Sequence, residues 1–125
     1  MRIAAQYSFN NGLVEVTARY AHLLAEIKEA IVSVDASITK TKLSKEKTKA
    51  GRMLYSPPAL NKAFKASLIP KGWNPVKVDC EYPTTHYLDD YMIRSSLKGA
   101  YREMDFVKDK LGVEVQFGKY SFMVY

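Results

Sequence analysis

One cysteine, Cys80, and two histidines, His22 and His86, are all the sequence offers of the residues that make disulfides and zinc sites. A lone thiol closes no internal disulfide, and two histidines with one cysteine cannot build a structural zinc centre. Cys80 is expected to be a small core residue. Glycine (6) and proline (5) are too few for a collagen-like or low-complexity chain. No stretch approaches the roughly 18 continuous apolar residues of a membrane span, and MRIAAQYSFNNG lacks the apolar middle of a signal peptide. The expectation is a cytoplasmic chain that does not touch a membrane. Acidic residues are also scarce, 13 against 19 lysines and arginines, for a net charge of +6.

What is present is enough for one core. A chain of 125 residues that is 47% apolar can hide about two thirds of its unfolded surface, so residues 1–125 are expected to form a single domain. The positive charge is concentrated. Between residues 40 and 52, six basic residues (Lys40, Lys42, Lys45, Lys47, Lys49, Arg52) face one acid, Glu46, a net of +5. This basic loop suits phosphate, and it equally suits a solvated surface segment that binds nothing in particular.

Periodicity gives the elements. Residues 2–8 read as a short strand, followed by an Asn11-Gly12 turn. Across residues 19–34, Leu23, Ile27 and Ile31 recur at helical spacing with Leu24 and Val34 beside them, and Glu26, Lys28 and Glu29 lie elsewhere. Ser56 before Pro57 and Pro58 predicts a helix start, because a hydroxyl caps and proline lacks an amide hydrogen where none is needed. Leu60, Phe64 and Leu68 form its apolar stripe, and Pro70, Gly72 and Pro75 end it. Residues 76–82 alternate like a half-buried strand closed by Pro83. Residues 87–98 read as helical, with Leu88, Met92 and Ser96 on one side and Gly99 as the stop. Helices leading into strands place the fold in the α/β or α+β class, as a sheet flanked by helices. Trp73 and the tyrosines are expected in packing.

The chemistry lies near the end. REMDFVKDKLGVEVQF, residues 102–117, alternates over two runs about Asp109-Lys110 and predicts an antiparallel hairpin, although the turn lacks the preferred glycine. That register sets Lys108 opposite Leu111, Phe106 opposite Val113, Met104 opposite Val115 and Asp105 opposite Glu114. One face then gathers Met104, Phe106, Val113, Val115 and Phe117, the other Asp105, Glu114 and Gln116. Opposed carboxylates repel, so the pair needs either wide exposure or a compensating cation. Magnesium, which takes oxygen ligands at about 2.0–2.1 Å through one or two carboxylates plus substrate phosphate, answers the second case. An ordinary amphipathic hairpin with its acids in water answers the first.

DFVKDKLGVEVQFGKYSF resembles the active-site segment of the BglII/BstYI group of type II restriction endonucleases, members of the PD-(D/E)xK nuclease superfamily. Asp105, Glu114 and Gln116 fall on the three motif positions, with glutamine where most of the superfamily has lysine. Further blocks resemble the group in order: YSFNNGL at 7–13, IVSVDA at 31–36, SKEKTKAG at 44–51, LYSPPALNKAF at 54–64 and PKGW at 70–73. The likeness is weakest over 74–101.

The resemblance implies a restriction-endonuclease-like mixed sheet with flanking helices, and Mg²⁺-dependent cleavage of both strands of a palindromic, GATC-containing duplex by a homodimer, leaving 5′ phosphates. It assigns metal binding to Asp105, Glu114 and the backbone carbonyl of Val115. Gln116, neither base nor cation, is left to orient the attacking water. Lys119 occupies a position that reaches base edges in the group, where a lysine donates to guanine; a solvated lysine in a Gly-Lys turn is the alternative. Lys45, Lys47 and Lys49 are expected to hold DNA phosphates without reading sequence. The group's chains continue past the apolar FMVY end and Ser121 reads as a helix cap there, so the sequence is expected to be C-terminally truncated, with an incomplete sheet. Two other functions stay open: a DNA-binding remnant without catalysis, and a PD-(D/E)xK nuclease of DNA repair.

Overall fold

The structure, a computed structural model, describes residues 1–45, 47–80, 85, 87–92 and 100–117. Among them two helices and two small antiparallel sheets make an α+β architecture. Helix α1 (Gly12–Ser33) contains the predicted stripe but begins seven residues before 19. It breaks its helical geometry at Tyr20 (φ −132°, ψ 28°), so the amphipathic stretch is the part after the break. Asn10 and Asn11 both take left-handed φ and turn the chain in. Ser8 Oγ, 2.9 Å from the Leu13 amide, accepts its hydrogen. The expected strand over 2–8 is absent: the segment is exposed and has no regular secondary structure.

Helix α2 (Pro57–Leu68) starts where Ser56 predicts, its side chain accepting from the Ala59 amide. Leu60, Phe64 and Leu68 are buried as the stripe requires, and with Leu23, Ala30, Val34, Trp73 and Phe106 they form the core. After one 3₁₀ turn (Ile69–Lys71), Gly72 takes φ 88°. Its amide donates to Ile69 O and that of Trp73 to Leu68 O, the paired bonds of a Schellman ending that a residue with a Cβ adopts only under strain.

The basic segment is a ribbon rather than a plain loop. Strands β1 (Lys42–Leu43) and β2 (Met53–Leu54) pair antiparallel, and the tip between them holds a 3₁₀ turn at Lys47–Lys49. Buried Thr39 clamps its base, with its carbonyl accepting from the Ser56 amide at 2.8 Å.

The second sheet has the order β3-β4-β5, from β3 (Asn74–Asp79), β4 (Tyr101–Lys108) and β5 (Leu111–Val113). Strand β3 starts earlier than predicted and takes in Pro75, which an edge strand tolerates because its amide side has no neighbour. All six of its residues are exposed, contrary to the half-buried reading. Cys80 is only half-buried and lies outside the core. Residues 87–92 form a bend and a turn, with the Tyr91 amide on Leu88 O, so this part of the expected helix is not helical. Its remainder, Gly99 and Pro83 lie outside the described residues.

The hairpin register is as predicted where the ladder runs: Phe106 pairs with Val113, Val107 with Gly112 and Lys108 with Leu111. Asp109 (φ 47°) and Lys110 (φ 69°) are both left-handed, the signature of a type I′ turn, which carries the strand twist across two residues. One expectation fails. Between Asn74↔Val107 and Val76↔Met104, β3 advances two residues and β4 three, a β-bulge at Asp105 and Phe106. The bulge turns Met104 away from the Phe106 face, so its end lies over Gly112, where a Cβ would come within 3.2 Å of Met104 Cε. Val113, Val115 and Phe117 still pack on the core with Phe106.

Candidate active site on a bulged hairpin

Strand β5 ends at Val113, so the next alternate amide, that of Val115, has no ladder partner. The Asp105 side chain takes that place: Oδ2 accepts from the Val115 N–H at 2.9 Å. A bulged, half-buried aspartate is thereby held against the backbone that carries Glu114 and Gln116. This bond joins two of the predicted site positions.

Glu114 borders a shallow cavity of about 500 Å³ on the outer sheet face, lined also by Val76, Val78, Arg102, Glu103, Met104 and Val107. The residue as a whole is exposed, with partial burial of its carboxyl. That burial pushes its pKa above the ordinary 4.5, and the charge of Asp105, a side-chain hydrogen bond with it and the charge of Glu103 push it the same way, against a backbone hydrogen bond from Asp105 that lowers it. The two carboxylates thus crowd one another electrostatically, with Glu114 just past the end of β5.

Gln116 is exposed and borders a different cavity of about 430 Å³, walled by Leu54, Tyr55, Pro57 and Phe117. This cavity opens beside the base of the basic ribbon and the start of α2. The structure therefore brings Asp105 and Glu114 together, and sets Gln116 on a cavity that neither of them lines, beside Leu54 and Tyr55. Lys45, Lys47 and Lys49 are exposed at the ribbon tip. Lys119 lies outside the described residues.

No group of three or more His, Cys, Asp and Glu side chains gathers as a cation site among the described residues. Two carboxylates fall short of an all-protein cage, but they fit an ion that keeps water and substrate phosphate in its shell. Their mutual repulsion supplies the demand for positive charge. The Val115 carbonyl belongs to the residue whose N–H donates to Asp105.

The sequence of this chain matches the model of a protein family described as Restriction endonuclease BglII/BglIII over residues 4–125. The chain belongs to this family. Membership in the BglII/BglIII restriction endonucleases implies site-specific cleavage of DNA, hence a hydrolase with DNA as its partner. No curated protein matches the chain. The α+β architecture fits a restriction endonuclease, and no helix among the described residues is long and apolar enough to cross a membrane.

One cluster escaped sequence reasoning. Glu26 of α1 holds both Trp73 and Lys108, with Trp73 Nε1 at 2.8 Å and Lys108 Nζ at 2.8 and 2.9 Å. The sequence set Glu26 off the helix stripe, Lys108 opposite Leu111 and Trp73 in packing, and none of these signals joined the three.

Proposed function

We propose that this chain carries the catalytic segment of a PD-(D/E)xK restriction endonuclease of the BglII/BstYI type. In this reading a homodimer cuts both strands of a GATC-containing palindrome with Mg²⁺ and leaves 5′ phosphates. The observation that carries the reading is the Asp105 carboxylate, bonded to the Val115 N–H beside a Glu114 whose proton affinity is raised.

Asp105, Glu114 and the Val115 carbonyl would hold the cation. When bound, the ion polarises the phosphoryl oxygen, stabilises the charge that develops on it and lowers the pKa of a coordinated water. The chain's own groups do the rest. The Val115 N–H fixes one oxygen of Asp105, which limits the orientations left to the other. Glu114 would serve as a ligand only in its ionised form, which its raised proton affinity disfavours until a cation offsets the charge of Asp105. Gln116, whose amide both donates and accepts, orients the water without taking its proton. Lys45, Lys47 and Lys49 neutralise backbone phosphates along the ribbon, and Lys119 donates to a guanine edge.

The test is cleavage of a GATC-containing duplex with Mg²⁺, beside Asp105→Asn and Glu114→Gln. Both variants should lose cleavage and keep duplex binding, or bind more tightly, because each removes a negative charge near phosphate. Hydrolysis at a near wild-type rate in either variant overturns the metal assignment. Cutting at sequences without the palindrome favours a repair nuclease.

A further inference from the structure

Three elements meet at Glu26. Its two oxygens take three hydrogen bonds: Trp73 Nε1 donates to Oε2, and Lys108 Nζ to Oε1 and Oε2. Trp73 is fully buried, and the Glu26 and Lys108 side chains keep only 26% and 22% of their surface. The Lys108 stem crosses the Gly72 corner, where a Cβ would lie 3.8 Å from its Cε. A carboxylate so engaged has its oxygens committed, so it is no ligand. A half-buried ion pair adds little to stability over an apolar substitute. Something other than stability accounts better for its place.

Its place is at one end of the bulge. Asp105 and Phe106 together oppose one position of β3, so the β3–β4 ladder does not fix the backbone rotation at Asp105. That rotation is set by the anchors on either side: the Val76↔Met104 pair before it, and after it Phe106↔Val113 and Asn74↔Val107, and then Lys108, tied across to α1. We propose that the Glu26–Lys108 pair is a positioning device for the catalytic strand, holding β4 so that Asp105 Oδ2 stays on the Val115 N–H. The inference rests on the reading of Asp105 as a metal-binding catalytic residue. Glu26 and Lys108 act through Asp105 and touch no reacting atom.

The experiment measures two quantities on the same folded samples of the chain and its variants: hydrogen exchange of the Val115 amide, and single-turnover cleavage with duplex affinity measured separately. Glu26→Gln and Lys108→Met should each speed Val115 exchange about tenfold relative to α2 amides, because the local bond opens without global unfolding. Cleavage should slow by about ten- to a hundredfold with duplex affinity unchanged, the cost of a misplaced ligand. Combining the two substitutions should add nothing to either single effect, and Lys108→Arg should restore both readouts. Lys108→Met leaves the Glu26–Trp73 bond in place and serves if Glu26→Gln fails to fold. Unchanged Val115 exchange, or an acceleration shared equally by α2, overturns the proposal. Absence of cleavage by the unsubstituted chain counts against the catalytic reading alone, because the exchange comparison still decides whether the pair holds Asp105.

Discussion

Burial in the outer groove, then the charges of Asp105 and Glu103, raise the Glu114 carboxyl above its ordinary 4.5. The folded chain therefore holds this proton more tightly than the unfolded chain does. The resulting stabilisation is fully present below pH 4.5 and is lost as pH rises from there through the raised folded value. Glu26 and Asp35 run the other way, held down first by the hydrogen bonds of Lys108 and Ser37 respectively. Their contribution is present above their unfolded values and lost as pH falls through the lowered folded ones. Thermal unfolding in metal-free buffer separates the two trends. Glu114→Gln should unfold at a higher temperature than wild type at pH 7, and the gap should close toward pH 4. A gap that widens in acid contradicts the crowded-pair account. At this scale the carboxylates were legible, because their spacing about the turn is a property of the chain. The Val115 N–H that Asp105 takes was not, because nothing in the sequence says that β5 stops at Val113.

Elements were legible where local chemistry decides them. Ser56-Pro57-Pro58 starts α2 and Gly72 ends its last turn as their backbone preferences require. The early start of α1 was not, because Val14 and Val16 are β-branched and make no apolar stripe there. The segment over 2–8 alternates weakly, but a strand needs a partner for its amides and none is supplied among the described residues. The hairpin turn shows the converse. Asp109 and Lys110 adopt the left-handed region with ordinary side chains, at a cost that glycine and asparagine largely avoid. Asp109→Asn combined with Lys110→Gly should stabilise the fold by about 0.5–1 kcal/mol in denaturant unfolding, part of the relief being offset by the looser unfolded chain. No gain in the unfolding midpoint would mean that the turn is not of this type.

Across the whole molecule, charge and core are segregated. The core lies between α1, α2 and the inner face of the β4–β5 hairpin, and the ribbon of residues 42–54 projects its lysines away from it. Substituting Lys45, Lys47 and Lys49 together by alanine should therefore spare the fold. Binding to all duplexes should weaken alike, and the slope of log K against log salt should flatten by about 0.9 for each phosphate no longer neutralised. An unchanged slope would return the ribbon to a solvated surface segment.

Composition, periodicity and motif spacing were sufficient for the α+β class, the two helix stripes, the hairpin register from Phe106 to Val113 and the nearness of Asp105 to Glu114, because each depends on backbone preference or on short-range order along the chain. Only the tertiary structure decided that a bulge turns Met104 away from Phe106, that β3 lies exposed at an edge, and that Glu26 reaches across 82 residues to Lys108. Those features come from how many residues each strand spends opposite its neighbour and from which helix face meets which strand end. Such long-range packing balances leave no period or spacing in the sequence by which they could be read.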